Sequence, residues 1–326
     1  MGVELVAKAR AGNRRALARL ITLVEAGDAQ AQTALAALYP YTGHAHIVGV
    51  TGAPGTGKST LVTQMALHWR SLGRTVAVLA VDPTSPFSGG AILGDRIRMQ
   101  ALGGDSGCYI RSMASRGSLG GLSRATGDAV KALDAAGFDI VIVETVGAGQ
   151  AEVEIAREAH TVVVVEVPGM GDDIQAIKAG ILEIADVFVV NKADREGVER
   201  TVRQLQMMLH LGSGEHRDGW EPPIVQTVSN TGKNIAEAAA AVERHLAHLK
   251  SNNLLELRER ERIEREWKVI MRETLLRQLL QRLEPHVHEQ LLKQMSERQL
   301  DPYAAANQAI ESVLEFPQSA TPSGQS

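Results

Sequence analysis

Gly52-Ala53-Pro54-Gly55-Thr56-Gly57-Lys58-Ser59 decides the fold of this chain. The octet matches the phosphate-loop pattern G-x-x-x-x-G-K-[ST]. A β-branched run at 47–51 precedes it and a helical pattern at 60–69 follows, which is the strand–loop–helix context the motif requires. Glycines let successive backbone N–H groups turn inward around an anion, and the following helix presents the positive end of its dipole. Lys58 is placed to reach the β- and γ-phosphates of a nucleoside triphosphate, with Ser59 as a Mg²⁺ ligand and Thr60 beside it.

Outward from this loop, apolar runs at 75–82, 138–145, 161–167, 187–191 and 224–229 alternate with longer helical stretches. Several are apolar without alternation, as strands covered on both faces of a parallel sheet are. The expected fold is α/β: a P-loop NTPase with a mostly parallel sheet flanked by helices, over 43–250. Ahead of it, 1–42 reads as a helical extension of one or two helices, with Leu17, Leu20, Ile21 and Val24 at helical spacing. Behind it, 251–316 reads as a C-terminal helical arm and 317–326 as a disordered tail. The stretch 254–284 is dense in Arg and Glu, with Leu257, Ile263, Trp267, Ile270, Leu276, Leu279 and Leu283 near helical spacing, and Pro285 ends it. It is either a solvated helix packing one stripe on its own domain or an arm for another subunit. The second is favoured, because a long charged helix beyond a finished α/β unit has little core of its own to cover.

Asn191-Lys192-Ala193-Asp194 ends a late apolar run. The Asp194 carboxylate there is suited to accept from guanine N1–H and the 2-amino group. Adenine would leave it unpaired, so the site would reject ATP. Val228-Ser229-Asn230 ends the next run, where a loop closes over the base or a plain strand-to-helix turn stands. Asp82 and Asp95 suit Mg²⁺ or its waters, or else cap a turn and a helix. Glu144-Thr145-Val146-Gly147 is a D-x-x-G-like element with Glu for Asp: Glu144 would act through a metal-bound water and the Gly147 N–H would meet the γ-phosphate. Small GTPases carry a water-orienting Gln directly after that Gly. Here Ala148 stands there and Gln150 is the next candidate, so hydrolysis is expected to be slow until another group is supplied. Pro168-Gly169-Met170-Gly171-Asp172-Asp173, with Lys178, is either a partner-coupling loop on the ligand edge or a surface turn.

Composition narrows the classes. Among 326 residues, 34 basic and 38 acidic give a net charge of −4, and aromatics make up 3%, so neither charge nor stacking surface points to nucleic acid. Cys108 is the single cysteine, which excludes an internal disulfide and a multi-cysteine zinc site and leaves the cytoplasm as the expected compartment. No stretch approaches the roughly 18 apolar residues of a membrane span, and the start lacks the apolar core of a signal peptide. His286-x-His288, His245-x-x-His248 and His44-x-His46 read as surface residues rather than metal ligands.

Taken together, the phosphate loop, the run Val81-Asp82-Pro83-Thr84-Ser85-Pro86-Phe87-Ser88-Gly89-Gly90 continuing to Met99, Glu144 to Gln150, and Asn191 to Asp194 resemble the MeaB/ArgK-type GTPases, a metallocentre-assembly group of the phosphate-loop class. The resemblance implies a GTP hydrolase that binds GTP/GDP and Mg²⁺ and acts as a chaperone. It also implies a partner, an adenosylcobalamin-dependent methylmalonyl-CoA mutase whose cofactor loading it gates and which it protects, and a homodimer joined through C-terminal helices. Alternatives are a transport-associated kinase, as older family labels have it, a nickel-enzyme maturation GTPase, which the sparse His and Cys argue against, and a non-enzymatic nucleotide-gated scaffold.

Overall fold

The strands are β1 (His46–Thr51), β2 (Val76–Pro83), β3 (Cys108–Ser115), β4 (Ile140–Thr145), β5 (Thr161–Glu166), β6 (Val187–Val190) and β7 (Ile224–Gln226). All but β3 stand where the sequence places an apolar run. The structure, a computed structural model, describes residues 2–83, 99–115, 124–145, 158–169, 183–212 and 217–313.

The strands form one seven-stranded sheet in the order β3-β2-β4-β1-β5-β6-β7, and every described pairing is parallel. Every residue of β1, β4, β5 and β6 is buried, which explains the unbroken apolar runs: side chains pointing either way enter a core. One face carries Leu79, Val143, Val164 and Phe188; the other carries Val50, Ile142, Val165 and Val189. Each such side chain contributes roughly 1.5–3 kcal/mol on full burial.

Helices α1 (Gly2–Arg10), α2 (Arg14–Ala26) and α3 (Ala29–Leu38) replace the one or two expected at the N-terminus. Their breaks are capped locally. Asn13 Oδ1 accepts from Ala16 N at 3.0 Å and Asp28 Oδ1 from Ala31 N at 2.8 Å, while Gly27 closes α2 in the left-handed region at φ 69°. Leu17, Leu20, Ile21 and Val24 of α2 join the first core. The phosphate loop runs into α4 (Lys58–Ser71), whose Leu61, Met65 and Trp69 fill the second core. Next come α5 (Arg124–Ala135), α6 (Val198–Gly212) and α7 (Ile235–Ser251). Asp134 of α5 accepts from the backbone N–H groups of Gly43 (2.5 Å), His44 (3.1 Å) and Ala45 (2.9 Å), which pins the turn that leads into β1.

The chain divides into two units after Arg258. Helix α8 (Leu254–Arg282) starts in the first and continues into the second, which also holds α9 (Pro285–Ser296) and α10 (Pro302–Val313). Pro285 does not merely end a helix; it is the first residue of α9, where its missing N–H costs nothing. Within the second unit, Leu283, Leu291 and Ala305 are buried. No residue of the 29-residue α8 is buried. The expected tail, 317–326, lies outside the described residues.

Two histidine expectations need correction. His46 (6% exposed) and His245 (0% exposed) are interior residues: the Thr161 hydroxyl lies 2.8 Å from His46 Nε2 and 2.9 Å from His245 Nδ1, and Asp186 Oδ1 stands 3.2 Å from His245 Nε2. His44, His286 and His288 are exposed, as expected.

Candidate nucleotide-binding site

The central strand β1 has β4 on one side and β5 on the other, so the chain leaves it in one direction and later returns in the opposite one. Crevices for ligands open at the carboxyl ends of strands at such a switch point. The phosphate loop sits there, between β1 and α4.

Its glycines answer two steric demands. Gly52 has φ 139° and its Cα faces the carbonyl of Val165 so closely that any Cβ would collide with it. Gly57 has φ 92°, and a Cβ there would lie 2.5 Å from Asn191 Nδ2. The loop is therefore threaded against β5 on one side and the loop after β6 on the other. Lys58, 6% exposed, donates Nζ to Gly52 O (2.8 Å) and Ala53 O (3.0 Å), so its ammonium is held inside the loop it would share with phosphates. Pro54 and Gly55 are exposed, Ala53 and Thr60 half-buried, and Thr56 fully buried.

Below the loop, Ser59 Oγ donates to Glu144 Oε1 at 2.6 Å, both residues being buried. Beside them Thr145 Oγ1 donates to Thr51 Oγ1 at 3.1 Å, tying the ends of β4 and β1. A hydroxyl and a carboxylate are hard oxygen donors of the kind Mg²⁺ prefers, and that ion takes the rest of its shell from phosphates and water. Among the described residues no group of three or more His, Cys, Asp or Glu side chains could hold a metal unaided. The donor set thus fits a magnesium ion carried in with a nucleotide.

Asn191 is a hub between loops. Its Nδ2 donates to Thr56 O at 2.9 Å; its Oδ1 accepts from Ser229 Oγ (2.8 Å), Ser229 N (3.1 Å) and Thr227 Oγ1 (3.2 Å). Lys192, in the left-handed region at φ 56°, donates Nζ to Gly55 O at 2.7 Å. Asp194 is exposed on the same loop. Val228 and Ser229 are buried and Asn230 is exposed; the turn after β7 is closed by a bridge between Val228 and Lys233. The sequence pattern missed Thr227 as a hub partner. A lone threonine at a strand end carries no signal until Asn191 is set beside it.

The structure therefore joins Ser59 to Glu144, and Asn191 to Thr56 and Ser229, and it places Lys192 against Gly55. The backbone of Asp82 ends β2 opposite Ala114. The Asp82 side chain, Asp95, Gly147, Gln150 and the stretch 170–182, with Gly171, Asp172, Asp173 and Lys178, lie outside the described residues.

A parallel sheet of this order with a phosphate loop and an N-K-x-D loop in contact at its carboxyl edge defines a P-loop GTPase. Comparison with known proteins agrees. The profile of the family described as methylmalonyl Co-A mutase-associated GTPase MeaB matches residues 17–284, and the chain belongs to that family. A relative from Pyrococcus abyssi is 48% identical over 312 residues, covering 95% of this chain and 96% of that one. The GTPase ArgK of Escherichia coli is 37% identical over 269 residues, covering 80% and 81%. The crystal structure of a LAO/AO transport system kinase superposes with a TM-score of 0.72 at 27% identity, covering 96% of this chain and 97% of that one. The chain is a GTP hydrolase that binds GTP and GDP.

Proposed function

We propose that this GTPase serves an adenosylcobalamin-dependent methylmalonyl-CoA mutase, gating the loading of its cofactor and protecting it, and that its nucleotide cycle is driven by that partner. The family description, which ties these GTPases to the mutase, carries the reading. A mouse relative, the mitochondrial methylmalonic aciduria type A homolog, is 38% identical over 192 residues, 58% of this chain and 46% of that one, and its name is in keeping with it.

Within the site, Lys58 leaves the loop carbonyls to neutralise the transferred phosphoryl group, and the N–H groups of 52–60 position the phosphates. Ser59 and, through water, Glu144 hold Mg²⁺, with Asp82 and Asp95 as further candidates; the ion supplies charge neutralisation on the phosphates when bound. Asp194 selects guanine, and the loop at 228–230 closes over the base. Gly147 contacts the γ-phosphate, and Gln150 or a group from the partner orients water. The exposed apolar residues of α8 serve a homodimer. No helix among the described residues is long and apolar enough to cross a membrane, and the cytoplasm is the compartment this reading assigns.

The test is phosphate release from GTP and ATP, with and without the mutase. GTP is expected to be preferred, Asp194→Ala to reduce the preference by about 100-fold or more, and the mutase to raise kcat. Transfer of labelled γ-phosphate to an acceptor, with none released free, would support a kinase instead.

A further inference from the structure

At the amino-terminal edge of the sheet, opposite the nucleotide site, lies a buried polar chain that the hydrolysis chemistry does not use. His46, the first residue of β1, places Nε2 2.8 Å from Thr161 Oγ1, at the start of β5. The same hydroxyl is 2.9 Å from His245 Nδ1 in α7, and His245 Nε2 lies 3.2 Å from Asp186 Oδ1, just before β6. Asp186 Oδ2 accepts from Val162 N at 2.8 Å. Arg258, in the first turn of α8, shares Asp186 at 3.5 Å while donating to Asp218 (2.7 and 3.1 Å) and to His160 O (3.0 Å).

The carboxylate beside His245 favours one direction for the chain. The Asp186 charge 3.2 Å away favours the tautomer with the proton on His245 Nε2, and in that tautomer Nδ1 accepts from the Thr161 hydroxyl. That hydroxyl has one proton to give, so its oxygen in turn accepts from His46 Nε2–H. In that tautomer donation runs from His46 to Thr161 to His245, with Asp186 Oδ1 3.2 Å from His245 Nε2. A second proton on His245 reverses it: both ring nitrogens then donate, Thr161 turns its hydroxyl toward His46, and His46 must accept through Nε2. The resulting imidazolium also competes with the Arg258 guanidinium for Asp186.

We propose that this chain is a proton-operated latch: with His245 neutral it holds the first turn of α8 to the sheet through Asp186 and Arg258, and proton uptake at His245 loosens that hold. The charged and titratable groups facing His46 and His245 come from every side: His160 beside β5, stacked on His46 at 6.1 Å; Lys250 of α7; Asp186; and Arg258. Burial, with His160, His245 and Lys250 adding repulsion, pushes the His46 pKa well below its usual 6.5 and disfavours a proton there; the carboxylate 3.2 Å from His245 Nε2 is what singles out His245 in the proposal.

Trp220 reports the event. Its ring lies 5.1 Å from His245 and 5.2 Å from His248, and its Nε1 donates to Asp186 O at 2.8 Å. Imidazolium quenches indole emission. With Trp69 and Trp267 replaced by Phe, fluorescence of the full chain is followed from pH 8 to 5. A one-proton quench is expected while circular dichroism stays native. His245→Gln abolishes it, His248→Gln leaves it, and Arg258→Gln moves its midpoint up by about one pH unit, because a competing cation is gone. A role confined to packing would not move that midpoint. If Trp69→Phe impairs folding, imidazole ¹⁵N spectra of the wild-type chain read the same states: His245 protonated on Nε2 alone at pH 8 and on both nitrogens in acid. No transition before unfolding, a transition that survives His245→Gln, or a midpoint unmoved by Arg258→Gln overturns the latch.

Discussion

Single residues at the nucleotide edge act through several hydrogen bonds at once. Asn191 joins three loops, so Asn191→Ala strands the Thr56 carbonyl and the Thr227 and Ser229 hydroxyls together. Leaving buried partners unmatched costs about 1–3 kcal/mol. Chemical denaturation is expected to show a loss of that size, and GTP titration a drop in affinity of tenfold or more. Glu144→Gln tests the metal assignment: the amide retains a hydrogen-bonding oxygen for Ser59 but removes the charge. The Mg²⁺ concentration for half-maximal hydrolysis should rise by about tenfold, and an unchanged requirement would assign the charge to Asp82 or Asp95. The loop and the N-K-x-D tetrad were legible because their chemistry is written in adjacent backbone. The bond from Asn191 to Thr56 spans 135 positions, and no local pattern records it.

Among the elements, helix α8 presents Ile263, Trp267, Ile270, Leu275, Leu276 and Leu280 to solvent, each about two-fifths exposed or more. Ion pairs one turn apart, Lys268–Glu264 at 2.6 Å and Arg265–Glu261 at 3.6 Å, support the helix at about a few tenths of a kcal/mol each, too little to offset so much wetted apolar surface. If the helix serves a dimer, sedimentation of the full chain should give twice the monomer mass, and Leu275→Glu with Leu276→Glu should give monomer with GTP affinity retained. A monomeric wild-type chain at tens of micromolar would refute the assignment. Strand β3 shows where element reading fails. It lies at the sheet edge with Arg111 half-buried toward Glu25 of α2 (2.6 Å), so its sequence mixes polar and apolar residues as a loop would.

For the whole molecule, acid is the expected weakness. The folded-state pKa of His46 is lowered, so the unfolded chain binds the proton more readily than the folded one. The stability it contributes is complete above pH 6.5 and is lost as pH falls from there toward the depressed folded value. Denaturation midpoints at pH 7.5 and 5.5 should fall with acid in the wild-type chain and fall less in His46→Gln; an equal drop in both would assign the acid loss to other groups.

The order of short apolar runs, the phosphate loop and the N-K-x-D tetrad determined the nucleotide class and the parallel sheet by themselves, because strand burial and anion binding are properties of contiguous chain. Which side chains meet was decided only by the tertiary structure. His46 and Thr161 are 115 positions apart and Thr161 and His245 are 84 apart. Read singly these histidines look like surface residues. Parallel pairing sets the first residues of β1 and β5 on one edge, α7 closes over them, and the Thr161 hydroxyl meets a ring nitrogen of each histidine where water cannot.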